Sequence, residues 1–187
     1  LAECDRTDLT PAERAASLEA MRRQILTLWQ TGMLRRARLS GRDAAFTTEL
    51  AFGTLRNRSF YDAVIARAAD RAVTRIDDEV LDVLRLGVHQ LLGMRVPDHA
   101  ALDQTVGLAR AVVSQGAGGF VNAVLRRVGE ADRDTWLDRV RPDGGGMAAL
   151  ALEWSHPEWI VGALRAALIG HGAAGPESSD TALADLL

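Results

Sequence analysis

The sequence predicts an all-α protein. Over most of the 187 residues, apolar side chains recur at steps of three and four, which is the spacing of one face of an α-helix. No segment shows the strict alternation of a half-buried strand, and no repeat of fixed period is present. A hydrophobic fraction of 48% is enough for a packed core. The helices are therefore expected to bundle through their apolar faces.

Capping residues and turn residues divide the chain into separate helices. A helix start is marked by Ser, Thr or Asp ahead of an apolar stripe, and a stop by Gly or Pro. The segments 114–119 (SQGAGG) and 142–146 (PDGGG) are expected to be a turn and a linker. The predicted helix starts, in chain order, are Thr10, Ser40, Ser59, Asp77 or Asp78, Asp98, Gly119, Asp132 or Asp134, Ser155 and Ser179.

The helix that begins at Asp77 or Asp78 has the clearest apolar stripe. Its members are Val80, Leu84, Gly87, Val88 and Leu91. Glycine in a helix interior costs about 1 kcal/mol relative to alanine. Gly87 is therefore expected to mark a point where a second helix crosses closely.

Positive charge is concentrated near the start of the chain, although the formal net charge is −3. No acid lies between Glu19 and Asp43, and this segment carries six arginines, which are the candidate RNA-contacting residues. They are Arg22, Arg23, Arg35, Arg36, Arg38 and Arg42. Arginine binds phosphate through paired N–H donors, so the segment predicts phosphate contacts. The alternative is an ordinary solvated helix face.

Residues for catalysis or metal binding show no recognisable arrangement. Cys4 is the only cysteine, which excludes an internal disulfide and indicates a reducing, cytoplasmic setting. The four histidines lack ligand spacing and are interpreted as surface or capping residues. The Gly-rich segments 116–119 and 144–146 follow no predicted strand, and no apolar run is long enough to span a membrane. We predict no catalytic, cofactor-binding or metal site in this chain and no membrane association.

The segment GGFVNAVLRR at 118–127 places an asparagine within an apolar run. At about 100° per residue the apolar residues share one face, and Asn122 falls off it with Arg126 beside it at i+4. If Gly119 is the N-cap, the Asn122 side chain bonds back to the N–H of that cap. The alternatives are a contact to neighbouring helices, or an Asn122–Arg126 patch that contacts RNA or another domain.

Three segments together resemble a known family: SGRDAAFTTELAFGTLRNR at 40–58, LRLGVHQLLGMRVPDHAALDQTVGLAR at 84–110 and GFVNAVLRR at 119–127. The chain resembles the NusB-type RNA-binding domain. More narrowly, it is similar to the amino-terminal region of the bacterial 16S rRNA cytosine-5 methyltransferases of the RsmB (Sun/Fmu) type. The resemblance implies a NusB-like fold of two packed three-helix groups with a C-terminal helical connector. The implied parts are a helical RNA-binding domain (1–141), a Gly-rich linker (142–146) and a connector toward a methyltransferase domain (147–187).

The same resemblance implies a function. The chain is expected to be the RNA-binding half of an S-adenosylmethionine-dependent rRNA cytosine-C5 methyltransferase, with 16S rRNA and the enzyme's own downstream methyltransferase domain as partners. Arg22 and Arg23 are the nearest counterparts of the family's RNA-contacting arginines. The family's chemistry needs two cysteines and a Gly-rich S-adenosylmethionine loop, so this part is expected to be non-catalytic and its parent to be the enzyme. The alternatives are an antitermination-type module that binds RNA with a ribosomal protein, and a docking domain without RNA affinity.

Overall fold

The computed structural model describes residues 37–94, 96–173, 175 and 179–186. These residues form nine α-helices and one 3₁₀ turn (Val73–Arg75) and include no β-strand, so the predicted all-α class is confirmed. The helices are α1 (Gly41–Arg56), α2 (Arg58–Ala69), α3 (Asp78–Leu92), α4 (Asp98–Val112), α5 (Gln115–Val128), α6 (Arg133–Val140), α7 (Gly146–Glu153), α8 (Glu158–Gly170) and α9 (Ser179–Leu186). The helix predicted at Thr10 lies outside the described residues. The described residues divide into two compact units, one within residues 48–155 and the other within residues 37–47 and 156–186.

The unit of residues 48–155 is built around α3. Helices α4 and α5 pack on each other and on α3, α2 packs on α3 and α5, and α6 and α7 contact α2. The fully buried side chains include Phe60, Ile65, Leu84, Val88 and Leu125. Burying one such side chain contributes about 1.5–3 kcal/mol relative to leaving it in water. The stripe predicted for α3 is therefore the centre of this core.

Gly87 is the point where α3 meets its neighbours most closely. A Cβ on Gly87 would lie 2.7 Å from Leu125 Cδ1 and 2.9 Å from Thr105 Cγ2, too close for real side chains. The predicted role of Gly87 at a close helix crossing is confirmed. Next to it, Gln90 Nε2 donates to Thr105 Oγ1 at 3.3 Å, which pairs two buried polar groups between α3 and α4.

Two predicted caps are present. The Asp77 side chain accepts a hydrogen bond from the N–H of Glu79 at 3.0 Å, and Asp132 accepts one from the N–H of Thr135 at 2.9 Å. Bonds from Thr135 hold the pKa of Asp132 below its ordinary value. These caps satisfy N–H groups that have no partner inside the helix.

Helix α5 begins earlier than the sequence predicts. Ser114 is its N-cap, and Ser114 Oγ accepts a hydrogen bond from the N–H of Ala117 at 3.1 Å. The turn predicted at 114–119 is therefore wrong, because this cap offsets the poor helix propensity of the glycines. Gly118 is buried in the helix, since a Cβ there would lie 2.7 Å from Arg110 Cγ.

Two further helices begin directly after a proline. Pro97 precedes α4 and Pro157 precedes α8, and neither start has a side-chain cap bond. Asp98 and Ser155, which the sequence predicts as capping residues, therefore do not cap these helices. A proline fixes φ near the value that the first helical turn needs, so these helices start without a polar cap.

The Gly-rich segment 142–146 ends at α7, for which the sequence patterns gave no separate start. Gly144, Gly145 and Gly146 have φ values of +90°, +65° and +71°, a left-handed region in which a Cβ is strained. Helix α7 lies within the unit of residues 48–155. The proposed division into a domain, a linker and a connector stays a prediction.

In the other unit, α8 and α9 pack against each other. Leu183 is fully buried, and Arg165 Nε lies 3.1 Å from Asp180 Oδ1. Helix α8 ends at a glycine, Gly170, and the predicted start of α9 at Ser179 is confirmed.

Candidate RNA-binding surface

The structure describes two of the six predicted RNA-contacting arginines. Arg38 precedes α1 and has a φ of +52°, while Arg42 lies in the first turn of α1. Both side chains are exposed. Arg22, Arg23, Arg35 and Arg36 lie outside the described residues.

Asn122 and Arg126 are brought together on α5. Arg126 Nε donates to Asn122 Oδ1 at 3.3 Å in an exposed setting. Because Ser114 is the N-cap, Asn122 lies in the middle of the helix and cannot cap it. The predicted capping bond to Gly119 is therefore wrong, and the predicted pairing with Arg126 is present. Its contact with RNA or another domain stays a prediction.

The end of α2 lies against the same helix. Arg127 Nη1 donates to the carbonyl oxygen of Ala68 at 2.9 Å, and the Arg71 guanidinium lies 5.5 Å from the centroid of the Phe120 ring. A guanidinium at a helix C-terminus pairs with a free carbonyl and with the negative end of the helix dipole. Phe120 and Arg127 are two turns apart, so α5 presents both to the end of α2.

Arg71 and Arg127 make these contacts between α2 and α5, and Arg67 and Arg126 lie nearby in the sequence; we call these four exposed arginines the α2–α5 arginine patch. Their positive charge outweighs the carboxylate of Asp70, the C-cap of α2. Each guanidinium carries five N–H donors, and Arg127 uses one of them on Ala68. The patch is therefore chemically suited to phosphate.

The sequence alone did not identify Arg67, Arg71 and Arg127 as a group. Arg71 and Arg127 are far apart in the chain, and acids lie between them. The only available signal was that α2 and α5 both carry arginine in the last turn, which is also common in ordinary helices.

Arg85 illustrates an arginine with a structural role. It donates to both carboxylate oxygens of Asp62 at 2.7 Å and to Asp82 at 2.9 Å. Burial opposes the charge on Arg85, but the bonds to both carboxylates outweigh it and raise its pKa. This bidentate pair joins α2 to α3 and leaves Arg85 committed to the fold.

His89 is a buried histidine on α3. Its side chain is 2% exposed, and His89 Nδ1 lies 2.7 Å from the Tyr61 hydroxyl. Burial lowers the pKa of His89, and the negative charge of Glu49 opposes part of this effect. Burial raises the pKa of Tyr61. The interpretation of His89 as a surface or capping residue is therefore wrong, because α3 is enclosed on more sides than one apolar stripe indicates.

A cavity of about 450 Å³ lies where α3, α4, α5 and α6 have their ends near one another. Leu91 and Leu92 line it together with the carboxylate residues Asp98, Asp132 and Asp134. Arg133 also lines the cavity, but the three carboxylates outnumber its one positive charge and disfavour phosphate. Within the described ranges, no group of three or more histidine, cysteine or acidic side chains is arranged to hold a metal ion. No helix in these ranges is long and apolar enough to cross a membrane.

The fold and the arginine patch together place the chain in the class of all-α modules that carry an exposed arginine surface. The chain belongs to the NusB family, which its residues 8–130 match. It is 41% identical over 169 residues to a Mycobacterium tuberculosis protein named "Putative methyltransferase", a match that covers 87% of this chain and 37% of that protein.

Two other relatives have more explicit names. Ribosomal RNA small subunit methyltransferase B of Pseudomonas syringae is 34% identical over 126 residues, which cover 67% of this chain and 27% of that protein. The "Probable ribosomal RNA small subunit methyltransferase B" of Bacillus subtilis is 34% identical over 127 residues, or 66% and 27%. The chain thus spans roughly a third of the length of these relatives. No solved structure matches the chain.

Proposed function

We propose that this chain is the RNA-binding, amino-terminal part of an rRNA methyltransferase. The observation that carries the proposal is a NusB-family match over residues 8–130 together with a longer similarity to a named methyltransferase. The names of the Pseudomonas and Bacillus relatives support small-subunit 16S rRNA as the RNA. A cytoplasmic location and a downstream methyltransferase domain of the same protein as a partner belong to the same proposal.

The α2–α5 arginine patch supports the RNA-binding part of the proposal. Its guanidinium groups would contact phosphates, together with Arg38, Arg42 and the four arginines of residues 22–36. Phosphate contacts position RNA without reading its sequence. We therefore expect this part to hold the rRNA while base selection and chemistry take place in the methyltransferase domain.

S-adenosylmethionine does not fit the described residues. Gly116, Gly118 and Gly119 lie within α5, and Gly144 and Gly145 precede a short helix that begins at Gly146. A cofactor loop needs a strand before its glycines, and the described ranges contain none. The cofactor is therefore proposed for the methyltransferase domain of the parent protein, and this part is proposed to be non-catalytic.

The proposal is tested by binding to a labelled segment of 16S rRNA. Each phosphate contact to a single strand contributes about −0.7 to the slope of log affinity against log salt. Four contacts from the patch give a loss of roughly fiftyfold between about 50 and 200 mM salt. Fluorescence anisotropy at both salt concentrations measures it. Equal affinities, or no binding at either concentration, contradict the proposal.

A second candidate is the antitermination-type module, which binds RNA together with a ribosomal protein. The family match ends at residue 130, so by itself it supports this candidate as well as the methyltransferase candidate. The 169-residue similarity to the Mycobacterium protein is too long to fit within residues 8–130, which favours the methyltransferase context. RNA affinity that appears only when a ribosomal protein is added would favour the second candidate.

A further inference from the structure

Residues 48–56 of helix α1 contact the rest of their unit through an unusual arrangement around His89. Gly53 and Thr54 are the buried residues of α1, and a Cβ on Gly53 would collide with the imidazole ring of His89. The α1 backbone therefore rests directly on the His89 ring. A Cβ on Gly93 would lie 2.5 Å from His89 Nδ1 and 2.7 Å from the Tyr61 hydroxyl, so a second glycine encloses the ring from the end of α3.

The hydrogen bonds of this cluster suit a neutral histidine. In the neutral tautomer with its proton on Nε2, that N–H faces Glu49 Oε1 at 3.7 Å and Nδ1 accepts a hydrogen bond from the Tyr61 hydroxyl at 2.7 Å. Nε2 is buried with no partner at good hydrogen-bond geometry, although the nearby backbone of Glu49 also favours the protonated ring. The Glu49 side chain is 55% exposed, so this carboxylate remains solvated.

Protonation would upset this arrangement. Both ring nitrogens would then be donors, so Nδ1–H would donate to the Tyr61 oxygen and the tyrosine hydrogen would have to turn away. Among the described residues, the hydrogen-bond partner of the Tyr61 hydroxyl is His89 Nδ1. A buried donor without an acceptor, and a buried positive charge, both destabilise the packed state.

Among the described residues, the charged groups that influence His89 are Glu49 and Arg56 of α1, and Arg133 of α6 acts on its partner Tyr61. Glu49 favours the protonated ring and Arg56 opposes it, while burial is the largest influence and lowers the pKa of His89. Tyr61 on α2 stays neutral because burial raises its pKa. Arg85, one turn earlier on α3, is neutralised by Asp62 and Asp82.

We propose that His89 is a pH-sensitive fastening for α1: neutral His89 holds residues 48–56 against the core, and protonation of His89 releases them while α3–α5 stay folded. The direction of the pH effect follows from the burial of His89. The packed state has a lower histidine pKa than the released state, so the stabilisation is complete above about pH 6.5 and is lost as the pH falls. This inference does not rest on RNA binding.

Amide hydrogen exchange between about pH 7.5 and 5.0 tests the proposal, with rates corrected for intrinsic exchange. Below about pH 6.5 the opening equilibrium of the α1 amides at 52–56 should rise by up to tenfold per pH unit, the limit for one proton. The α5 amides at 124–128 should keep their protection. Loss of protection in both helices at the same pH would overturn the proposal.

Two variants identify the titrating group. His89→Gln should remove the pH dependence of α1 exchange, whereas His99→Gln, at an exposed histidine of α4, should leave it unchanged. Glu49→Gln removes the carboxylate that favours protonation, so it should move the onset of release to lower pH. An unchanged pH profile in Glu49→Gln, or the wild-type profile in His89→Gln, would overturn the assignment.

If His89→Gln does not fold, the wild-type protein still decides. The ¹⁵N shifts of the His89 ring should titrate with a midpoint below that of an unburied histidine and coincident with the release of α1. A midpoint that differs from the release of α1 overturns the proposal.

Discussion

Helices α1 and α5 each contain one of the segments that resemble the family, yet they are held in opposite ways. Helix α5 buries Gly118, Val121, Val124, Leu125 and Val128, which form a continuous apolar face. Helix α1 is two residues longer but buries only Gly53 and Thr54 among its described side chains.

The difference shows that family resemblance and structural role are separate properties. The face of α5 gains stability from the area it removes from water, which depends little on pH. The attachment of α1 includes a glycine that fits over a neutral histidine, so it is sensitive to one backbone position and to one proton. We expect α5 to open only with global unfolding and α1 to open locally.

The largest effect is expected from Leu125→Ala. Leu125 is fully buried and packs on Gly87, so truncation should lower the free energy of unfolding by about 2–5 kcal/mol. The matched variant Leu50→Ala truncates a half-buried leucine of α1 and should cost about 1 kcal/mol. Urea denaturation measures both. Similar losses in the two variants would contradict the contrast between the helices.

Gly53→Ala should have an intermediate effect. The new methyl group would meet the His89 ring, and overpacking of this kind costs about 1–3 kcal/mol. Gly107→Ala is the control, because Gly107 lies in α4 with no atom within 4 Å of an added Cβ. That change should stabilise by about 0.4–1 kcal/mol. Thermal unfolding followed by circular dichroism gives both signs, and a neutral Gly53→Ala would show that α1 does not rest on His89.

The smallest effect is expected from Asn122→Ala. Its bond to Arg126 is exposed and 3.3 Å long, so the free energy of unfolding should change by less than about 0.5 kcal/mol. Ser114→Ala removes the cap of the same helix and should cost about 0.5–2 kcal/mol. A larger loss from Asn122→Ala than from Ser114→Ala would contradict the capping assignment.

Much of the α3–α5 core could be predicted, because helical periodicity records which face is buried. The stripe of α3 and the close crossing at Gly87 are examples. The start of α5 could not be predicted from its glycines, since a cap three residues away decides whether they join the helix. The burial of His89 depends on enclosure by several helices, which no single helical stripe records.

The candidate surface was less predictable than the core. Asn122 and Arg126 were found because a spacing of four residues is a contact within any helix. Arg71 contacts α5 and Arg127 contacts α2 only because these helices pack on each other, which is a tertiary contact. Arg22, Arg23, Arg35 and Arg36 remain predictions that the described residues do not test.

The central claim is that the α2–α5 arginine patch contacts rRNA phosphates, and a matched pair of arginines tests it most directly. Arg71 lies over Phe120 within the patch, and Arg139 of α6 lies 5.0 Å from the Trp136 ring centroid, so glutamine at either position removes one charge and one ring contact. The measurement is the salt dependence of affinity for a 16S rRNA segment. Arg71→Gln should weaken binding and reduce the magnitude of the salt slope by about 0.7, while Arg139→Gln should keep the wild-type slope. Equal slopes in the two variants would contradict the claim.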